Sequence, residues 1–73
     1  MTQEQIDKTF TYQSPFGDQP ERYGQIRSKA KEFAELLLKL TPTSGEKMLA
    51  FRHLQQAVMY ANAAIAINET RPE

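Results

Sequence analysis

The stretch Leu40-Thr41-Pro42-Thr43-Ser44-Gly45-Glu46 decides the fold. Thr41 precedes a proline, whose ring crowds the preceding residue out of the helical region, so a helix arriving from the N-terminal side ends at Leu40. Thr43-Ser44-Gly45-Glu46 has the spacing of a capping box, Thr43 bonding forward and Glu46 reaching back, and a second helix starts close to Ser44. Two long helices joined by so short a link lie antiparallel, as an αα-hairpin. Extended to Lys47 the stretch superficially looks like a phosphate loop. It lacks the G-x-x-x-x-G-K-[ST] spacing and a preceding strand, and capping explains it better.

Outward from the turn, Ser14-Pro15-Phe16-Gly17-Asp18 is turn chemistry, and Asp18 with Glu21 has the spacing of an N-terminal capping pair, Pro20 being tolerated in the first turn. The first helix therefore runs from about Asp18 to Leu40 and the second from about Ser44 to Asn68. Upstream, Thr9-Phe10-Thr11-Tyr12 alternates polar with aromatic residues, which predicts a short extended segment carrying Phe10 and Tyr12 on one face. Downstream, Glu69–Glu73 contains Pro72 and is expected to fray. The expected organisation is an N-terminal arm (1–17), a helical hairpin domain (18–68) and a C-terminal tail (69–73). The fold class is all-α: an antiparallel two-helix hairpin with an extended N-terminal arm, assembling into a homo-oligomer.

Composition explains the last expectation. The chain has 73 residues, nine Lys/Arg against nine Asp/Glu, no Cys and no Trp. A chain of this size buries only about 60% of its unfolded surface, and without cysteine it has neither disulfides nor thiolate zinc sites to compensate. On the first helix Ile26, Ala30, Phe33, Leu37 and Leu40 form a stripe that serves as the seam; on the second the stripe is Phe51, Leu54, Val58, Ala61 and Ile65. A further ridge of Leu49, Tyr60, Ala64 and Ile67 lies roughly opposite that second stripe. One hairpin cannot cover both ridges, so several hairpins are expected to pack together, with the small residues of 61–66 permitting close approach. No signal peptide or membrane-length apolar run is present, which predicts an intracellular protein with no membrane partner.

The zero net charge conceals a local excess. Arg22, Arg27, Lys29 and Lys31 lie close together with no acid among them. On a helix Tyr23, Arg27 and Lys31 share one edge beside the seam, offering a ring for stacking, a guanidinium fork for a phosphate and an ammonium. The aromatic arm residues Phe10, Tyr12 and Phe16 could close over such a ligand. Asn62, among Met59, Ala61, Ala63 and Ala64, needs a partner if buried, either a backbone group across an interface or a ligand. No catalytic constellation is visible. His53, the one histidine, has no carboxylate three or four residues away to make an acid/base pair or a metal site. Ser14, Ser28 and Ser44 likewise have no plausible base for a nucleophile at sequence-visible spacing. No enzyme activity, cofactor or metal is expected.

The runs from Phe10 to Gln19, Tyr23-Gly24-Gln25-Ile26-Arg27, Pro42-Thr43-Ser44-Gly45-Glu46 and Ala57-Val58-Met59-Tyr60-Ala61-Asn62-Ala63-Ala64-Ile65-Ala66 resemble the phage anti-CBASS cyclic-nucleotide sponge. They also resemble the related hairpin domain of the first Thoeris anti-defence protein. The resemblance implies a homo-hexamer of helical hairpins that binds cyclic oligonucleotide immune signals in the host cytoplasm and withholds them without cleavage. It further implies that an N-terminal tyrosine and a basic residue fifteen positions later hold a cyclic dinucleotide between two subunits. Tyr12 and Arg27 have that separation, Arg27 standing where the family commonly has lysine. Some members also take cyclic trinucleotides at a separate site. The Thoeris protein carries an additional N-terminal β-region, which makes a cyclic ADP-ribose derivative the less favoured ligand. The expected ligand-binding residues are Tyr12, Phe16, Tyr23, Arg27, Lys31 and Asn62. The rival reading is a small adaptor docking a protein through Leu49, Tyr60 and Ile67; duplex nucleic acid is disfavoured by the small electrostatic footprint.

Overall fold

The computed structural model describes residues 1–10 and 14–69. Among these residues three helices follow one another: α1 (Gln3–Phe10), α2 (Gln19–Leu40) and α3 (Gly45–Asn68). No strand occurs among the described residues.

The turn between α2 and α3 forms as its chemistry requires, with the cap one residue later than expected. Ser44, not Thr43, is the extended N-cap residue, and its Oγ accepts from Lys47 N at 3.1 Å. The reason lies in the backbone: Ser44 O already accepts the first helical bond, from Met48 N at 3.3 Å, so its own side chain faces the free amides. On the other side Thr41 turns extended before Pro42, while its hydroxyl donates to Leu37 O at 2.6 Å. Lys47 then reaches across the turn. Its ammonium donates to Leu38 O and Thr41 O, each at 3.0 Å, neutralising the carbonyl end of α2.

The start of α2 departs from the capping pair read in Asp18 and Glu21. Asp18 makes no side-chain cap because its backbone is not extended (φ −89°, ψ 6°). Its carboxylate turns instead to Arg22, with Oδ1 3.2 Å from Nε. The turn is entered through Gly17, whose φ of 58° lies in the left-handed region.

The extended arm is also corrected. Residues 3–10 are helical, because Thr2 and Gln5 form a reciprocal capping box: Gln5 N donates to Thr2 Oγ1 at 3.2 Å and Thr2 N to Gln5 Oε1 at 2.8 Å. Pairs one turn apart support it, Gln3 to Asp7 at 2.9 Å and Lys8 to Glu4 at 3.5 Å. Four residues of alternation are too short to outweigh this upstream cap. Thr11 and Tyr12, the second half of that alternation, lie outside the described residues.

The hairpin seam is narrower than the stripes drawn from sequence. Ile26, Ala30 and Leu37 of α2 and Phe51, Leu54, Val58, Ala61 and Ile65 of α3 are half-buried, whereas Phe33 and Leu40 are 51% and 69% exposed. At about 100° per residue those two sit roughly 60–80° from the line through Ala30, on one rim of the seam. Of the second ridge on α3, Ile67 is half-buried and shares a hollow with Met1, Gln5 and Thr9 of the α1 region. Leu49 and Tyr60 stay 53% and 75% exposed.

The result is a slab of 49 × 29 × 12 Å. Two stacked layers of helices, with axes about 8–10 Å apart, would need more than its shortest dimension, so the molecule is one helix layer thick. No apolar side chain among the described residues is fully buried, and the accessible surface is 6128 Å², against about 4,600 Å² from size scaling for a globular chain of this mass. Among the described residues the one buried side chain is polar, Gln19, at the open end of the hairpin.

Candidate functional site

The open end, where α2 begins and α3 finishes, is held by a polar clamp. Arg22 Nη1 donates to Glu69 Oε2 at 2.7 Å, Arg22 Nη2 donates to Glu69 Oε1, and Gln19 Nε2 donates to Glu69 Oε1 at 3.1 Å. Gln19 Oε1 in turn accepts from Phe16 N at 3.2 Å. The Arg22 hydrogen bonds, then the Gln19 hydrogen bond, hold the Glu69 carboxyl down at about 2, and the Glu69 carboxylate raises Arg22 further above its ordinary value. Glu69, read from sequence as the start of a fraying tail, is thus fixed, and Arg22 is removed from the basic segment available to a ligand.

The remaining basic residues sort by what they touch. Lys8 pairs with Glu4, Lys29 with Glu32 at 3.2 Å, and Lys47 caps α2. Arg27, Lys31, Lys39 and Arg52 have no ion pair or hydrogen bond among the described residues. Lys39 lies on the back of α2 by helical spacing. The other three lie on one face of the slab: Tyr23, Arg27 and Lys31 follow each other at four-residue intervals along α2, and Lys31 and Arg52 line the same groove between α2 and α3. That groove, of about 650 Å³, has an apolar floor that includes Ala34, Leu54 and Val58 and a wall from α3 that includes Gln55 and Met59.

The structure brings together part of the expected ligand set. Tyr23 is half-buried, and Arg27 and Lys31 are exposed beside it on the same edge. A methyl placed on Gly24 would meet Arg27 Nη2 at 3.9 Å, so the guanidinium lies back over that glycine. Asn62 is half-buried on α3, one turn beyond Met59 along the same wall, and its Oδ1 is shielded without a hydrogen-bond partner. Phe16 is half-buried at the head of α2, its backbone engaged with Gln19. Tyr12 lies outside the described residues, so its place beside Arg27 is not described. Phe10 projects from the end of α1, 77% exposed.

Arg52, Gln55 and Gln56 were missed in the sequence. The signal is present: Arg52, Gln55, Gln56 and Met59 follow the three- and four-residue rhythm of one helix face, but that face meets the basic edge of α2 only once the hairpin is closed. His53 is exposed, and among the described residues no three His, Cys, Asp or Glu gather as metal ligands. No described helix is long and apolar enough to cross a membrane.

The family model described as Acb2/Tad1, hairpin domain, matches residues 2–66. The chain belongs to that family. The match embraces α1, α2, the capped turn and nearly all of α3, so the helical hairpin is the domain shared by the Acb2/Tad1 proteins, and α1 lies inside it. The match ends before Glu69, so the clamp residue from α3's end falls beyond it while Gln19 and Arg22 fall within. No curated protein and no solved structure matched the chain.

Proposed function

We propose that this chain binds cyclic oligonucleotide second messengers, cyclic dinucleotides and secondarily cyclic trinucleotides, and withholds them from a host antiphage defence of CBASS type in the cytoplasm of the infected cell. It does so as an assembly of several copies, a hexamer on the family resemblance, and without cleaving the ligand. The observation that carries the reading is the edge of α2: Arg27 and Lys31 are exposed, without partners among the described residues, and aligned with half-buried Tyr23. A guanidinium beside an aromatic ring suits a phosphodiester joined to a base. Membership of the Acb2/Tad1 hairpin family supports the same ligand class. Sequestration acts by mass action and asks only for abundance and affinity, not for a nucleophile.

Calorimetric titration with cyclic di-AMP, cyclic di-GMP, cyclic GMP–AMP and cyclic tri-AMP tests the reading. Binding by at least one, with ligand recovered intact after denaturation and Arg27→Ala or Tyr12→Ala weakening a dinucleotide, is the expected result. No binding by any, or hydrolysed ligand, overturns it. A cyclic ADP-ribose derivative in the same series addresses the Thoeris-type ligand. The exposure of Leu49 and Tyr60 favours one second reading, a protein adaptor, and a stoichiometric protein partner with no nucleotide bound would support it instead.

A further inference from the structure

The two faces of the hairpin differ in a way that selects a ligand. On one face a groove of about 360 Å³ is nearly all apolar, and its one cation, Lys29, is neutralised by Glu32 at 3.2 Å. On the other, the groove of about 650 Å³ carries Lys31 from α2 and Arg52 from α3, both exposed and both without an ion-pair partner among the described residues. Its volume falls within the roughly 300–1,000 Å³ of small-molecule sites. Cations on opposite helices, separated by an apolar floor, fit an anion whose charges are separated by a flat apolar body. The side-chain amides of Gln55 and Gln56, also on the groove, each present a donor and an acceptor, as the edge of a base does.

We propose that Arg52 is a ligand-binding residue: from α3 it holds one phosphate of a bis-phosphodiester ligand whose other phosphate lies on the Arg27–Lys31 edge of α2, across the groove, while Gln55 and Gln56 contact the base edges. This rests on the proposed function and deepens it by adding a contact from α3 to the basic edge of α2. The groove therefore discriminates by phosphate count. A cyclic dinucleotide engages both cations, and a cyclic mononucleotide engages one at a time. Arg52 supplies a fork that lysine cannot copy.

The test is titration of the full chain with cyclic di-AMP, cyclic di-GMP and cyclic GMP–AMP as probes and cyclic AMP as the single-phosphate control, alongside the variants Arg52→Ala, Arg52→Lys, Lys31→Ala and Arg27→Ala. For whichever dinucleotide binds the unaltered chain, Arg52→Ala is expected to weaken binding at least about tenfold, the scale of a lost charge-assisted hydrogen bond, with Arg52→Lys recovering part. Cyclic AMP is expected to bind at least about a hundredfold more weakly than the dinucleotide. The side-chain amide resonances of Gln55 and Gln56 should shift on titration, which a purely structural role for Arg52 would not produce. Arg52 is exposed and unpartnered, so its variants should keep the helical circular dichroism of the parent, and binding is compared at equal assembly size. Affinities within twofold for Arg52→Ala while Arg27→Ala loses binding overturn this assignment and leave the proposed function standing. Failure of every dinucleotide to bind the unaltered chain overturns both.

Discussion

Arg22 and Glu69, 47 residues apart in sequence, close the open end of the hairpin through a forked pair of hydrogen bonds between guanidinium and carboxylate. The turn at residues 41–44 ties α2 to α3 at one end by covalent connection and capping. At the other end there is no connection, and with no fully buried apolar side chain among the described residues, the clamp takes over the task of keeping the helices together.

This arrangement sets a pH dependence. Glu69 is held at about 2 in the folded chain, below its ordinary 4.5, first by the Arg22 hydrogen bonds and then by that from Gln19. Because the folded value is the lower one, the stabilisation is fully present above about 4.5 and disappears as pH falls through about 2. Glu69→Gln should therefore melt below the parent at pH 7, and the two melting curves should converge towards pH 2. Equal melting temperatures at pH 7, followed by circular dichroism at matched concentration, would show that the clamp contributes nothing.

The two glycines flanking the head of α2 should respond in opposite directions to alanine. Gly17 sits at φ 58°, where an L side chain is strained, and Gly17→Ala should cost about 1 kcal/mol. Gly24 is inside a helix with an ordinary 3.9 Å contact awaiting a methyl, and Gly24→Ala should gain about 0.5–1 kcal/mol. Urea unfolding measures both. A loss at Gly24 would mean that the backbone there is covered by something a single chain lacks.

The second cap can be assigned by mutation. Ser44→Ala should destabilise by about 1 kcal/mol because Lys47 N loses its acceptor, whereas Thr43→Ala, at an exposed residue, should change little. The reverse ranking in thermal melts would restore the cap one position earlier.

How much of this was legible in the sequence depends on how local the signal was. Thr41-Pro42 and the Ser44 region act within one turn of chain, and they located the two helix ends at the turn to within a residue. Residues 3–10 differ from the expectation because two cues compete, a four-residue alternation ending at Tyr12 and a Thr2–Gln5 cap upstream of it that sets the helix. The clamp was invisible for a different reason: Arg22 and Glu69 meet only once the hairpin length has been fixed by everything between them. Arg27 and Lys31 could be found because they share one helix, while Arg52 joins them from another helix across a groove that spacing within α2 cannot reveal.

Association of hairpins is the remaining proposal that stability measurements reach. A slab one helix thick with Leu49, Met59 and Tyr60 each more than half exposed leaves much of its apolar surface in water. Burying such surface against further copies gains about 25 cal/mol per Å², so the folded state should become more stable as protein concentration rises. Sedimentation should find an assembly at micromolar concentration, with a melting temperature that climbs on concentrating. Tyr60→Glu, which places a charge on the most exposed large apolar residue of α3, should shift the distribution to smaller species and flatten that concentration dependence. A chain that sediments as a monomer and melts at one temperature from micromolar to hundreds of micromolar would mean that the single hairpin stands by its turn and its clamp alone.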